Sequence, residues 1–130
     1  MRYLSREEIS GISFRDSEIY EFAMSEDGRS LHFVCGSVLL NDDEVVERTT
    51  GLTVRASSPI RVIRRQGPVF IELDRGYGGV PNAILEFSID QNRFHLAGPS
   101  GLDQRWQIYS GDIAHIEAWI ACWSSDGDSP

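Results

Sequence analysis

The sequence predicts an α+β fold: a strongly twisted antiparallel sheet or half-barrel with a C-terminal helix packed on one face. Three observations predict it. Apolar and polar residues alternate through most of the chain, the period of a half-buried strand, in runs separated by Gly, Pro, Asn and Asp. After residue 110 the spacing of the apolar residues changes to three or four. The 130 residues, 41% apolar and 10% aromatic, suit one buried core and argue against disorder. The chain therefore reads as a single domain over 1–125 with a flexible polar tail over 126–130.

The elements follow in order. Ser5 with Glu8 has the spacing of a capping box, so a short helical turn is expected to end near Gly11. In "EIYEFAMSEDGRSLHFVC", Tyr20, Phe22 and Met24 share one face, as do Leu31, Phe33 and Cys35, and Asp27-Gly28 supplies a hairpin turn. Asn41-Asp42-Asp43 then punctuates two short apolar pieces and makes a second turn with an acidic tip. In "GLTVRASSPIRVIRR", Leu52 and Val54 oppose Thr53 and Arg55, and Ser57-Ser58-Pro59 breaks the run before Ile60 and Val62. Val69, Ile71 and Leu73 alternate with Phe70, Glu72 and Asp74. Leu85, Phe87 and Ile89, then Phe94 and Leu96, form a hairpin about the "DQNR" turn. Trp106 and Ile108, opposed by Arg105, Gln107 and Tyr109, give a further strand. Last, Asp112 reads as an N-cap, and Ile113, Ile116, Ile120 and Trp123, with Trp119 beside them, recur as on an amphipathic helix.

The "DRGYGGVPN" stretch, 74–82, raises the question of a phosphate cradle. Such a loop needs backbone N–H groups converging at a helix N-terminus. Here Pro81, Asn82 and a β-type run follow, and neither the lysine nor the hydroxyl of a P-loop is present. A bend fits better, with Gly78-Gly79 free to take positive φ and Tyr77 projecting as a contact for a partner.

Composition excludes further chemistry. All twelve basic residues are arginine, which removes Schiff-base, P-loop and general-base lysines. A net charge of −8 and a pI near 4.7 argue against direct nucleic-acid binding, where phosphate neutralisation dominates affinity. No run approaches the length of a membrane helix, and Met1 to Gly11 carries charges where a secretion signal needs apolar residues, so no membrane contact and a cytoplasmic location are expected. Cys35 and Cys122 read as buried thiols. His32, His95 and His115 lack metal-ligand spacing, and no metal or cofactor is expected. His32 and Cys35 fall on opposite strand faces, which disfavours Cys–His catalysis. The same-face acids Glu72 with Asp74, and Glu86 with Asp90, read as solvated faces rather than a catalytic pair. The chain reads as a non-enzyme.

Charge is uneven. Residues 1–50 carry five arginines against eleven acids, residues 51–75 five against two, and residues 76–130 two against seven. Arg55, Arg61, Arg64 and Arg65 form a basic strip whose ordinary fate is pairing with the chain's own carboxylates. The acidic tips, Glu26 and Asp27 on the first hairpin and Asp42, Asp43 and Glu44 with Glu47 on the second, suit steering toward a basic partner. These six residues and Tyr77 are the candidate partner-binding set.

"IYEFAMSEDGRSLHF", with Glu26, Asp27 and Gly28, followed by Tyr77, Gly78, Gly79 and Val80, further strands and a terminal helix, resembles the small immunity proteins of bacterial polymorphic-toxin systems. The resemblance implies a protein that binds and neutralises a cognate toxin, with the arginine strip from Arg55 to Arg65 lacking a counterpart in the family pattern. Alternatives on the same residues are a phage-encoded acidic inhibitor of a host defence nuclease, and a barrel-like binder of a small ligand with Trp106, Phe87 and Phe94 lining its interior. The expected tryptophan-bearing C-terminal helix also offers a homodimer contact.

Overall fold

A computed structural model describes residues 1–15, 17–41, 44–73, 81–100 and 105–121. The fold is almost wholly β. A five-residue helix α1 (Arg6–Ser10) accompanies strands β1 (Arg2–Tyr3), β2 (Ile12–Ser13), β3 (Ile19–Met24), β4 (Ser30–Cys35), β5 (Val38–Leu40), β6 (Glu44–Val46), β7 (Thr50–Ala56), β8 (Arg61–Gln66), β9 (Val69–Leu73), β10 (Glu86–Asp90), β11 (Arg93–Ser100) and β12 (Arg105–Ile120). The capping box forms as its spacing predicts: the Glu8 amide donates to Ser5 Oγ, and the Ser5 amide donates to the Glu8 carboxylate at 2.9 Å. Gly11 closes the helix. Gly28, at φ +71°, turns the β3–β4 hairpin.

The predicted C-terminal helix is absent. Residues 112–120 belong to β12, so the α+β reading gives way to a curled antiparallel half-barrel. A β-bulge explains the misleading period. The register of β12 against β7 slips between Ile113 and His115, and an extra residue in a strand turns a spacing of two into three. Ile113 is buried before the slip, Ile116 is half-buried after it, and Ala118 and Ile120 then follow at strand spacing, both buried. The steps from 113 to 116 and from 116 to 120 thus imitate a helical stripe, with the alanine between them overlooked. The homodimer contact assigned to that helix loses its element, and Trp123 lies outside the described residues.

Strand β12 organises the rest. Its first half pairs with β11 on one side and β8 on the other; its second half pairs with β7 and with β1. Two leaves result, β9-β8-β12-β11-β10 and β3-β4-β7-β12-β1, sharing this one strand. β7 and β8 lie end to end along it, Ala56 opposite Ile113 and Arg61 opposite Ser110, with the predicted Ser57–Pro59 break between them. Gly111 marks the bend: a Cβ there would stand 3.2 Å from Phe94 and 3.3 Å from Ala56. A small sheet, β2-β5-β6, completes the fold.

The core lies inside the curl. Phe14, just past β2, meets Phe33 and Phe87 edge-on at 4.9 and 5.3 Å, and Phe22 meets Tyr109 at 5.3 Å. Edge-to-face contact of this kind adds to the burial of each ring. In β12 the sequence places Trp106 and Ile108 opposite Gln107 and Tyr109, and the structure sends the polar pair inward. Gln107 and Tyr109 are buried while Trp106 and Ile108 are half-buried on the other face. The inward polar atoms are paired: Gln107 Nε2 donates to the Tyr109 hydroxyl, and Arg64 Nη2 donates to Gln107 Oε1 at 3.3 Å. Hydrogen bonding offsets the desolvation that burial imposes on such groups.

Candidate functional site

The second acidic turn leads to the site. β5 and β6 are three-residue strands of the small sheet, and β6 carries Glu44, Val45 and Val46 in succession with Glu47 following. Glu44, Val45 and Glu47 are all exposed. With Arg2, Arg48 and Ile120 they line an open groove of about 560 Å³ between this hairpin and the outer end of β12. Val45 is 67% exposed, and Met1 and Tyr3, from the adjoining N-terminal segment, are 64% and 61% exposed. Arg2 is turned toward the Glu8 carboxylate by an ion pair. The result is one exposed apolar side chain, Val45, between the exposed Glu44 and Glu47, with Arg2 and Arg48 on the same lining.

The first acidic tip is built differently. Asp27 accepts from Ser25 Oγ at 2.6 Å, from the Arg29 amide at 3.0 Å and from the Arg55 guanidinium at 2.8 and 3.3 Å. The Arg55 hydrogen bonds, then those from Ser25 and Arg29, hold its carboxyl far below the usual carboxylate range. Asp27 therefore closes its own turn, and its charge is matched locally; Glu26 beside it is exposed. The two tips are also far apart. Arg55 pairs with Ser30 beside the first turn, and Thr50, at the other end of β7, pairs with Ile120 of the groove. Five residue steps along β7 put them about 15–20 Å apart at about 3.3 Å per step. Of the seven predicted partner-binding residues, the structure brings Glu44 and Glu47 together, places Glu26 and Asp27 elsewhere, and Asp42, Asp43 and Tyr77 lie outside the described residues, as do Gly78, Gly79 and Val80.

Sequence reasoning missed Val45. The available signal was the unalternated Val45-Val46 pair between two glutamates, which a strand with one buried face does not need. The arginine strip meets its expected carboxylate pairing in part, at Arg55 and Arg61. Arg55 pairs with Asp27, Arg61 with Glu72 at 2.9 Å, and Arg64 with Gln107, while Arg65 lies 5.9 Å from the Trp106 ring centre.

Several other titratable groups are held by similar pairings. Hydrogen bonding to Arg61, reinforced by its charge, lowers the Glu72 carboxyl, opposite to what a general acid needs. Glu86 Oε1 lies 2.9 Å from His95 Nε2, and His32 Nδ1 lies 2.7 Å from Thr53 Oγ1. Cys35 is buried, and desolvation pushes its thiol up to about 11. His32 stands on the opposite face of β4, as the spacing predicts. Ser88, Asp90, Arg93, His95, Ser110 and Asp112 border a second open groove of about 710 Å³ on the outer face of β10, β11 and β12. Among the described residues no group of three His, Cys, Asp or Glu is placed to hold a metal ion, and no helix is long and apolar enough to cross a membrane.

No family model, curated protein or solved structure matches the chain.

Proposed function

We propose that the chain is a cytoplasmic binding protein of the immunity kind, which neutralises a cognate bacterial toxin by covering its basic active surface. The observation that carries this reading is the groove of Glu44 and Glu47, where carboxylates flank the exposed Val45. An exposed apolar side chain between two carboxylates suits a protein partner with a cationic contact: burial of Val45 supplies contact energy, and Glu44 and Glu47 raise the association rate. The net charge of −8 acts in the same direction over longer range. The aromatic side chains that meet across the described interior, with Trp106 facing outward, favour recognition at the surface over capture of a small molecule inside.

The test is capture from the native host with the purified chain as bait, followed by association kinetics with the captured protein. Glu44→Arg combined with Glu47→Arg is expected to slow association by about tenfold or more at low salt and to flatten its salt dependence. The melting temperature is expected to stay near that of the unaltered chain, because both side chains are exposed. A Glu26→Arg variant, remote from the groove, is expected to associate at a nearly normal rate. Unaltered kinetics in the double variant would reject the groove as the contact.

A further inference from the structure

The edges of the large sheet are not alike. Natural edge strands are protected against pairing with other chains by charge, bulges or brevity. β10 carries exposed Glu86, Ser88 and Asp90 on alternate positions, and β3 carries exposed Glu21 beside a bulge between Ile19 and Glu21. β1 is two residues long. β9 departs from this pattern: Val69, Phe70 and Ile71 are 52%, 62% and 42% exposed in direct succession. Successive strand residues point to opposite faces, so the edge is apolar on both sides. Among the described residues β9 pairs with β8 alone.

We propose that β9 is a self-pairing edge through which two copies of the chain join, antiparallel, about a twofold axis at Ile71. The residues select this register. A register centred on Phe70 would bring Pro68, which has no N–H to donate, opposite Glu72. One centred on Glu72 would set two carboxylates directly opposite each other, which is destabilising. Centred on Ile71, the strand pairs over its whole length: Val69 with Leu73 of the second copy, Phe70 with Glu72, and Ile71 with Ile71.

Charge complementarity identifies the occupant as a second copy. Arg65 of β8 is the cross-strand neighbour of Phe70, so the second copy's Glu72, opposite Phe70, lies two strands from Arg65, and the relation repeats across the axis. Each Glu72, already held by its own Arg61 at 2.9 Å, comes within side-chain reach of a second guanidinium. Residues 61–72 carry three arginines against one acid in a chain of net charge −8, so this edge is where two otherwise repelling copies can approach. One segment supplies both the apolar pairing and the Arg–Glu pairing, as a twofold interface requires.

Sedimentation velocity of the full chain over a concentration series is expected to show a monomer–dimer equilibrium. Ile71→Asp, which places two carboxylates at the axis, is expected to weaken it by about tenfold or more with an unchanged β-type circular dichroism spectrum. Arg65→Glu, at an exposed position, is expected to weaken it independently. Hydrogen exchange on the unaltered chain decides the matter even if Ile71→Asp misfolds: amides of residues 69–73 are expected to gain protection as concentration rises. A chain monomeric up to its solubility limit, a dimer indifferent to both substitutions, or protection of 69–73 conferred only by a different protein would overturn the proposal.

Discussion

Asp27 shows how one side chain can carry a turn rather than a function. Three donors of different origin converge on it, a hydroxyl, a backbone amide and a guanidinium from β7, and they hold its carboxyl well below the range of an unfolded aspartate. A carboxyl depressed in the folded state contributes stability above its unfolded value, about 3.9, and that contribution is lost as pH falls through the folded value. Asp27→Asn is therefore expected to lower the melting temperature at neutral pH, and the gap to the unaltered chain is expected to close progressively below about pH 4. Melting curves from pH 2 to 8 check this; a gap that is constant with pH would show that the carboxylate charge is irrelevant to the turn. The pairing of Asp27 with Arg55 could not be read from sequence, because the two meet only after β4 has registered against β7.

The element that sequence reading placed least well is β12, and the reason is local. Ser5 with Glu8, Asp27-Gly28 and the alternating runs of β3, β4, β7, β10 and β11 declare themselves through contacts within a few residues, so their type and order were legible. The bulge in β12 is fixed by pairing with β7, some sixty residues away, and its spacing counterfeits a helix until Ala118 is counted as a core residue. The inward face of the first half of β12 was not legible for a related reason: Gln107 and Tyr109 face inward because Arg64 and each other satisfy their polar atoms. The two short strands flanking Asn41-Asp42-Asp43 were legible; the rest of the groove lining was not, since Arg2 reaches it through β1 pairing with β12. Deleting Ala114 tests the bulge: Ile113, His115 and Ile116 then follow one another opposite Ala56, Arg55 and Val54 as a regular ladder, so Ile116, Ala118 and Ile120 keep their face. The expected result is a retained cooperative melting transition and β-type spectrum. Loss of cooperative unfolding would show that the bulge itself is needed for the fold.

At the scale of the whole molecule, the two leaves have different electrostatic characters. The β3-β4-β7-β12-β1 leaf ends at the groove of Glu44 and Glu47, and the β9-β8-β12-β11-β10 leaf bears the arginines of β8 at its far edge. The surface proposed for a basic partner and the edge proposed for a second copy thus lie on separate parts of the fold, so the two proposed contacts do not compete. Among the described residues β12 is the strand that both leaves pair through, so a chain ended after residue 104 lacks the common strand of both. Such a chain is expected to show no cooperative melting transition by calorimetry; a transition near that of the full chain would mean that one leaf stands without it. The same seam sets an order of assembly. β7 and β8 both precede their common neighbour β12 in the chain, so β3, β4 and β7 can pair among themselves and β8 with β9, but the two groups are joined into one architecture only once β12 has been made.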